Sequence, residues 1–221
     1  DRSGLSPNDG ATHHGLFDIS YLRCVPNVII MAPADEDELV DMMQTGIEHQ
    51  GPAFIRYPRG NAVGTTIKAE AEAIPLGQSK RLQSGNDIDL WAIGSMVADA
   101  EQLAARLSEH GISAGVVNAR FAKPLDQKAL LDSARNCKLI VSLEDHVITG
   151  GFGTGILELL QDENALCPVE RIGWPDCFVE HGSSVKILRE SVGLDSDSIL
   201  KRVLARYEKI SAQTQQSAGI G

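Results

Sequence analysis

Asn27-Val-Ile-Ile-Met31-Ala-Pro33-Ala-Asp35-Glu-Asp-Glu-Leu39-Val40-Asp-Met-Met43-Gln-Thr-Gly-Ile47-Glu-His-Gln-Gly51-Pro52-Ala53-Phe54-Ile55 is the stretch that sets the fold class. Asn27 to Met31 is a short apolar run rich in β-branched residues, the pattern of a strand buried in a parallel sheet. Pro33 and Asp35 then introduce a helix, with Asp35 placed to cap its first N–H groups and acidic residues in the first turn. Leu39, Val40, Met43 and Ile47 recur at helical spacing and predict its apolar face. Gly51-Pro52 ends the helix, and Ala53-Phe54-Ile55 is the next strand. A β-α-β order of this kind predicts a right-handed parallel crossover.

The same alternation continues outward from this unit. Ala62 to Gln78 has no clear period and contains Gly64, Pro75 and Gly77, so it reads as an interdomain connection. Ile88 to Ile93 is a strand; Gly94-Ser95 starts a helix with Val97, Ala100, Leu103, Ala104 and Leu107 on one face, and Gly111 stops it. Ser113 to Val117 is a strand, and Pro124-Leu125-Asp126 opens a helix to about Ala134. Leu139 to Leu143 is a strand ending in Glu144-Asp145-His146, and Gly150-Gly-Phe-Gly-Thr-Gly155 opens another helix. Val169 to Ile172 is the last strand; the tail reads as helical from about Ser183, fraying in the polar end from Ser211 to Gly221. Strand and helix alternate throughout, which predicts an α/β fold with an open, mostly parallel sheet.

Composition narrows the function classes. The chain has 221 residues and a formal charge of -10, which argues against nucleic acid or an anionic membrane as partner. No apolar run approaches the ~20 residues that span a bilayer. Cys24, Cys137, Cys167 and Cys177 form no Cys-x-x-Cys pair and read as reduced thiols of a cytoplasmic protein. There is no signal peptide and no initiator Met, and the chain opens within its most polar motif, so an N-terminal part of a larger protein is expected to precede it.

That motif, Asp1-Arg2-Ser-Gly-Leu-Ser-Pro-Asn-Asp9-Gly-Ala-Thr12-His13-His14-Gly15, has few core-forming side chains and reads as a loop used for its polar groups. Arg56-Tyr57-Pro58-Arg59-Gly60 follows a strand, where guanidinium groups suit an anionic ligand. Together they point to a phosphorylated or carboxylated small molecule handled with proton transfer. Each residue also has an ordinary reading: His13 as a solvated loop histidine, Asp9-Gly10 as a turn, the arginines as surface ion pairs of ~0–1 kcal/mol. Gly150 to Gly155 does not meet the G-x-G-x-x-G order and reads as close helix packing or a domain contact. Glu144 and His146 are two potential metal ligands without a third, and His181-Gly182 reads as a turn.

Asp1-Arg2-Ser-Gly, Asn8-Asp9-Gly10, Thr12-His13-His14-Gly15, Phe17-Asp18-Ile-Ser20-Tyr21-Leu22 and Arg56-Tyr57-Pro58-Arg59-Gly60 resemble the second half of the 1-deoxy-D-xylulose 5-phosphate synthase family. These are thiamine-diphosphate enzymes of the transketolase superfamily. The likeness continues through Asn27 to Pro33, the interdomain stretch, Asn118 to Asp126, Glu144-Asp-His146, Gly150 to Gly153 and Gly173-Trp-Pro-Asp176, leaving out the last dozen residues.

The resemblance implies that residues 1–70 are the C-terminal part of a thiamine-diphosphate pyrimidine-binding domain with a parallel sheet. Residues 79–210 are then a transketolase C-terminal-like α/β domain, one without direct cofactor chemistry. It implies a transferase that condenses pyruvate with glyceraldehyde 3-phosphate, with loss of carbon dioxide, for isoprenoid, thiamine and pyridoxol biosynthesis. It also implies a cytoplasmic homodimer without nucleic-acid or membrane partners. His13 and Asp9 match catalytic positions, Asp9 as an orienting carboxylate; Arg2 and Arg59 match the arginines that hold the substrate phosphate. Arg56 is assigned a structural role, and His14 points away from the chemistry. Thiamine diphosphate and Mg2+ are expected to be held mainly by the absent N-terminal part, which carries the Gly-Asp-Gly metal motif and the activating glutamate. No cofactor-binding or metal-binding residue is therefore assigned here, and the chain alone is expected to be inactive. The β-type half of a split thiamine-dependent dehydrogenase or transketolase and a non-catalytic interaction module are the alternatives. An interrupted sheet in the first domain predicts an exposed apolar edge and hence a partner chain, a dimer, or disorder in residues 1–60.

Overall fold

The computed structural model describes residues 1–182 and 184–218. In the first module a short helix α1 (Asp18–Arg23) precedes strand β1 (Ile29–Met31), helix α2 (Glu36–Glu48) and strand β2 (Ala53–Ile55). β1 and β2 pair in parallel, Ile30 opposite Phe54, as the apolar runs on either side of the helix predict. Asp35 caps α2, its carboxylate accepting the Glu38 N–H at 2.8 Å.

Helix α2 packs the other way round from its apolar spacing. Met43 and Ile47 are 53% and 75% exposed, whereas Glu38, Asp41, Met42 and Thr45 are buried. The connection through residues 68–74 wraps this polar side and supplies its hydrogen bonds. Asp41 accepts from the Glu72 N–H at 2.8 Å and pairs with the Lys68 ammonium, and the Thr45 hydroxyl accepts from the Ile74 N–H at 2.7 Å. Burial opposes ionisation of Asp41, but these partners outweigh it and hold its carboxyl below the usual range.

The second module contains strands β3 (Lys80–Gln83), β4 (Ile88–Ala92), β5 (Ala114–Asn118), β6 (Phe121–Lys123), β7 (Leu139–Val147) and β8 (Val169–Trp174). Its five-stranded sheet runs β3-β5-β4-β7-β8, parallel except for the antiparallel edge strand β3. Helices α3 (Met96–Glu109), α4 (Gln127–Asn136), α5 (Phe152–Asp162), α6 (Val185–Ser191) and α7 (Ser196–Ala218) complete it. Every residue of β4, β5 and β7 is buried, the signature of a central parallel sheet covered on both faces.

β6 leaves this sheet and pairs antiparallel with β1, so the three-stranded sheet β2-β1-β6 takes strands from both sides of the 62–78 connection. Buried Glu38 seals the same junction, accepting from Asn118 Nδ2 at 2.9 Å and Arg120 Nε at 2.7 Å. The tail is two helices rather than one, divided where Gly193 takes φ +70°. α7 continues to Ala218, past Ser211 where the sequence suggests fraying; Ser183 and residues 219–221 lie outside the described residues. Among the described residues no helix is long and apolar enough to cross a membrane.

Candidate active site

The opening loop is closed on itself and then pinned to the second polar run. Gly4 and Gly15 exchange backbone hydrogen bonds at 2.9 and 2.8 Å, and the Ser3 N–H donates to Tyr57 O at 2.9 Å. The approach is too close for a side chain: a Cβ at Gly15 would stand 2.1 Å from the Arg2 carbonyl. Residues fifty positions apart in the chain therefore share one surface.

Asp9 is the centre of that surface. A turn on Ser6, with the Asp9 and Gly10 N–H groups donating to its carbonyl at 3.0 and 3.1 Å, presents the carboxylate outward. Arg59 Nη1 hydrogen-bonds Asp9 Oδ2, and Arg2 Nε lies 3.7 Å from the same oxygen. The Arg59 hydrogen bond, opposed by some desolvation and helped by the charges of Arg59, Arg2 and His13, holds the Asp9 carboxyl below its usual range. Four candidates named from sequence thus fall in one neighbourhood.

His13 is exposed, with Nδ1 2.9 Å from Thr12 Oγ1, and it lines a cavity of about 420 Å³ together with Arg2, His14, Asp18, Tyr21 and Arg56. Arg59 does not line this cavity; it reaches it through Asp9 and Arg2. His14, expected to point away, lines the same cavity; it is buried, and its Nδ1 accepts the Ser6 N–H at 2.9 Å, which holds the loop.

Arg56 is also a structural tie. Its guanidinium is buried and forks onto Asp18 at 2.8 and 3.1 Å while donating to Gly15 O and Asp145 O at 3.0 and 3.3 Å. One side chain therefore joins the loop, α1 and β7.

Glu144 and His146, the pair weighed as metal ligands, are fastenings instead. Glu144 accepts the Phe152 and Gly153 N–H groups at the start of α5 at 2.6 and 2.9 Å; burial pushes its pKa up to about 7 against these hydrogen bonds. His146 Nε2 accepts the Ile19 and Ser20 N–H groups of α1 at 3.1 and 3.4 Å, and Nδ1 donates to Val147 O at 2.8 Å. Burial, with the Arg56 charge, pushes its pKa down to about 4, so it stays neutral. The glycine run beside them is a contact between modules: Arg23 Nη1 donates to Gly150 O and Gly151 O at 2.8 and 3.1 Å. Among the described residues no group of three His, Cys, Asp or Glu side chains could hold a metal ion.

Sequence reasoning missed Asp18 and Tyr21 as cavity residues. Helix α1, which carries them, is six residues long after a glycine-rich loop, and contacts distant in sequence, with His146, Arg56 and Gly150, set its place.

Residues 1–64 match the family model for the transketolase pyrimidine binding domain, and residues 77–199 that for the transketolase C-terminal domain. The 1-deoxy-D-xylulose-5-phosphate synthase of Heliobacterium modesticaldum is 49% identical over 98% of this chain and 34% of its own length. That of Methylacidiphilum infernorum is 50% identical over 92% of this chain and 32% of its own. The chain thus spans about a third of the length of the curated relatives it matches. Among solved structures, a split gene transketolase described as an inactive beta4 tetramer superimposes with a TM-score of 0.77 and 29% identity, over 90% of this chain and 62% of that one. A transketolase mutant from Pichia stipitis, at 19% identity, TM-score 0.67 and coverage of 92% and 29%, shares the fold.

Proposed function

Because the chain belongs to the transketolase C-terminal domain family and carries the end of a pyrimidine-binding domain before it, we propose that it is the acceptor-substrate part of a 1-deoxy-D-xylulose-5-phosphate synthase. The reaction of the whole protein is then the decarboxylative condensation of pyruvate with glyceraldehyde 3-phosphate. The observation that carries this reading is Asp9 bridging Arg59 and Arg2 beside the cavity that His13 lines. Two guanidinium groups on one carboxylate form a preset anion site, because their planar forks suit phosphate oxygens as well as they suit Asp9. On binding, the phosphate takes over the arginines and releases Asp9 to orient a substrate hydroxyl or the His13 ring. His13 Nε2 then donates to the acceptor aldehyde oxygen, where negative charge develops as the new carbon–carbon bond forms.

Thiamine diphosphate with Mg2+ is the cofactor this family implies, and its electron sink is the cofactor's own contribution. Among the described residues no three His, Cys, Asp or Glu side chains come together as ligands, so they do not fit the metal. Its site is assigned to the remainder of the enzyme, and the isolated chain is inactive on this reading. Assembly through a second copy is supported by the outward apolar side chains of Met43 and Ile47 on α2 and Phe54 on β2; a cytoplasmic location is part of the same proposal. The split-transketolase alternative is less favoured, at 29% identity against 49–50% for the synthases.

Reconstitution tests the proposal. The chain alone should not turn over pyruvate. Mixed with a separately made N-terminal part of such a synthase, it should give pyruvate decarboxylation that depends on glyceraldehyde 3-phosphate. Turnover by the chain alone, or none from a folded pair, contradicts it.

A further inference from the structure

The turn that carries Asp9 does not stand free; the second module covers it. The Gly182 N–H donates to Pro7 O at 3.2 Å. Gly10 takes φ +78°, and a Cβ there would lie 3.0 Å from His181 Cβ, so the histidine is packed directly on the glycine. The Phe178 ring meets Phe17 edge-on, with centroids 5.7 Å apart and an interplanar angle of 66°. Between these contacts Val179 is buried in the same core cluster as Leu5 and Leu16, which flank the turn in sequence. The segment after β8 therefore touches the anion loop on both sides of Asp9 and again at its end.

We propose that residues 175–182 form a strap that positions the Asp9 turn, with Phe178 and His181 as positioning residues for a phosphorylated acceptor; this rests on the function proposed above. Pro7 and Gly10 bracket Asp9, and Asp9 sets where both guanidinium groups sit. Loosening the strap lets the carboxylate and its arginines drift, which weakens the grip on phosphate without touching the donor substrate. Phe178 is 79% exposed, so its ring can be removed without opening the core. The C-terminal domain then takes part in acceptor specificity although it holds no reacting group.

The test uses the complete enzyme carrying Phe178→Ala and, separately, His181→Gly, which deletes the Cβ packed on Gly10. Losing an aromatic contact of this kind corresponds to about a two- to tenfold rise in KM for glyceraldehyde 3-phosphate. KM for pyruvate should stay at its original value, the rise in KM should be larger for glyceraldehyde 3-phosphate than for unphosphorylated glyceraldehyde, and Phe178→Tyr should behave as the parent. Arg59→Ala is the control for the site itself. If it raises the acceptor KM while the strap variants do not, the strap is refuted and the functional reading stands. Equal changes for both substrates reduce the segment to a folding element and also refute it. If Arg59→Ala has no effect on the acceptor, the phosphate site fails and the strap with it.

Discussion

On the proposed reading, His13 and Asp9 divide the chemistry through their surroundings. The Arg59 hydrogen bond holds the Asp9 carboxyl below its usual range, which suits the orienting role proposed for it rather than proton donation. His13 has its Nδ1 beside Thr12 Oγ1 at 2.9 Å, which fixes the ring and leaves Nε2 for a substrate oxygen. Replacing His13 by Ala in the complete enzyme should lower kcat by about 10²–10⁴-fold, the range for a positioned general acid. A change below about threefold would remove it from the mechanism. That these residues lie at one surface was legible because a loop with so little apolar content has little to bury. His14 was legible only in part: its buried place follows from the Ser6 contact, which spacing does not encode.

Glu144 and His146 show how elements are fastened, and they titrate in opposite senses. Glu144 is raised from 4.5 to about 7, so over that range the native state holds the extra proton and stability falls as pH rises. His146 is lowered from 6.5 to about 4, so over its range the unfolded state holds the extra proton and stability increases with pH. Each slope is at most about 1.4 kcal/mol per pH unit, and where the ranges overlap the two nearly cancel. Glu144→Gln should unmask the histidine: denaturant unfolding from pH 4.5 to 6.5 should show a steeper gain in stability than the parent shows. An identical pH dependence would mean the carboxyl is not buried as described. Elements themselves were only partly readable. The Asp35 cap and the β1-α2-β2 order follow from local chemistry. The inward face of α2 does not, because its polar residues are satisfied by N–H groups some thirty residues away. β3 escaped for a similar reason: Lys80-Arg-Leu-Gln83 is wholly exposed, and it edges the sheet while Arg81 forks onto buried Asp89 at 3.0 and 2.9 Å.

At the scale of the whole molecule, two modules are joined by shared parts rather than by surface contact alone. β6 crosses into the first sheet, Arg56 reaches β7, and the strap reaches the Asp9 turn. The sequence predicts two α/β units but not this interlocking, since pairing between distant strands leaves no local periodicity. Interlocking adds to the loop contacts that place Arg2, Asp9 and Arg59 together, and the phosphate site proposed for them, built from separate loops, needs that rigidity. The central claim is therefore a preference for phosphate, measured as the ratio of kcat/KM for glyceraldehyde 3-phosphate to that for glyceraldehyde in the complete enzyme. Arg2→Ala with Arg59→Ala should lower that ratio by about a hundredfold or more, the loss of two charge-assisted contacts, while KM for pyruvate changes little. A ratio equal to that of the parent enzyme would contradict the account.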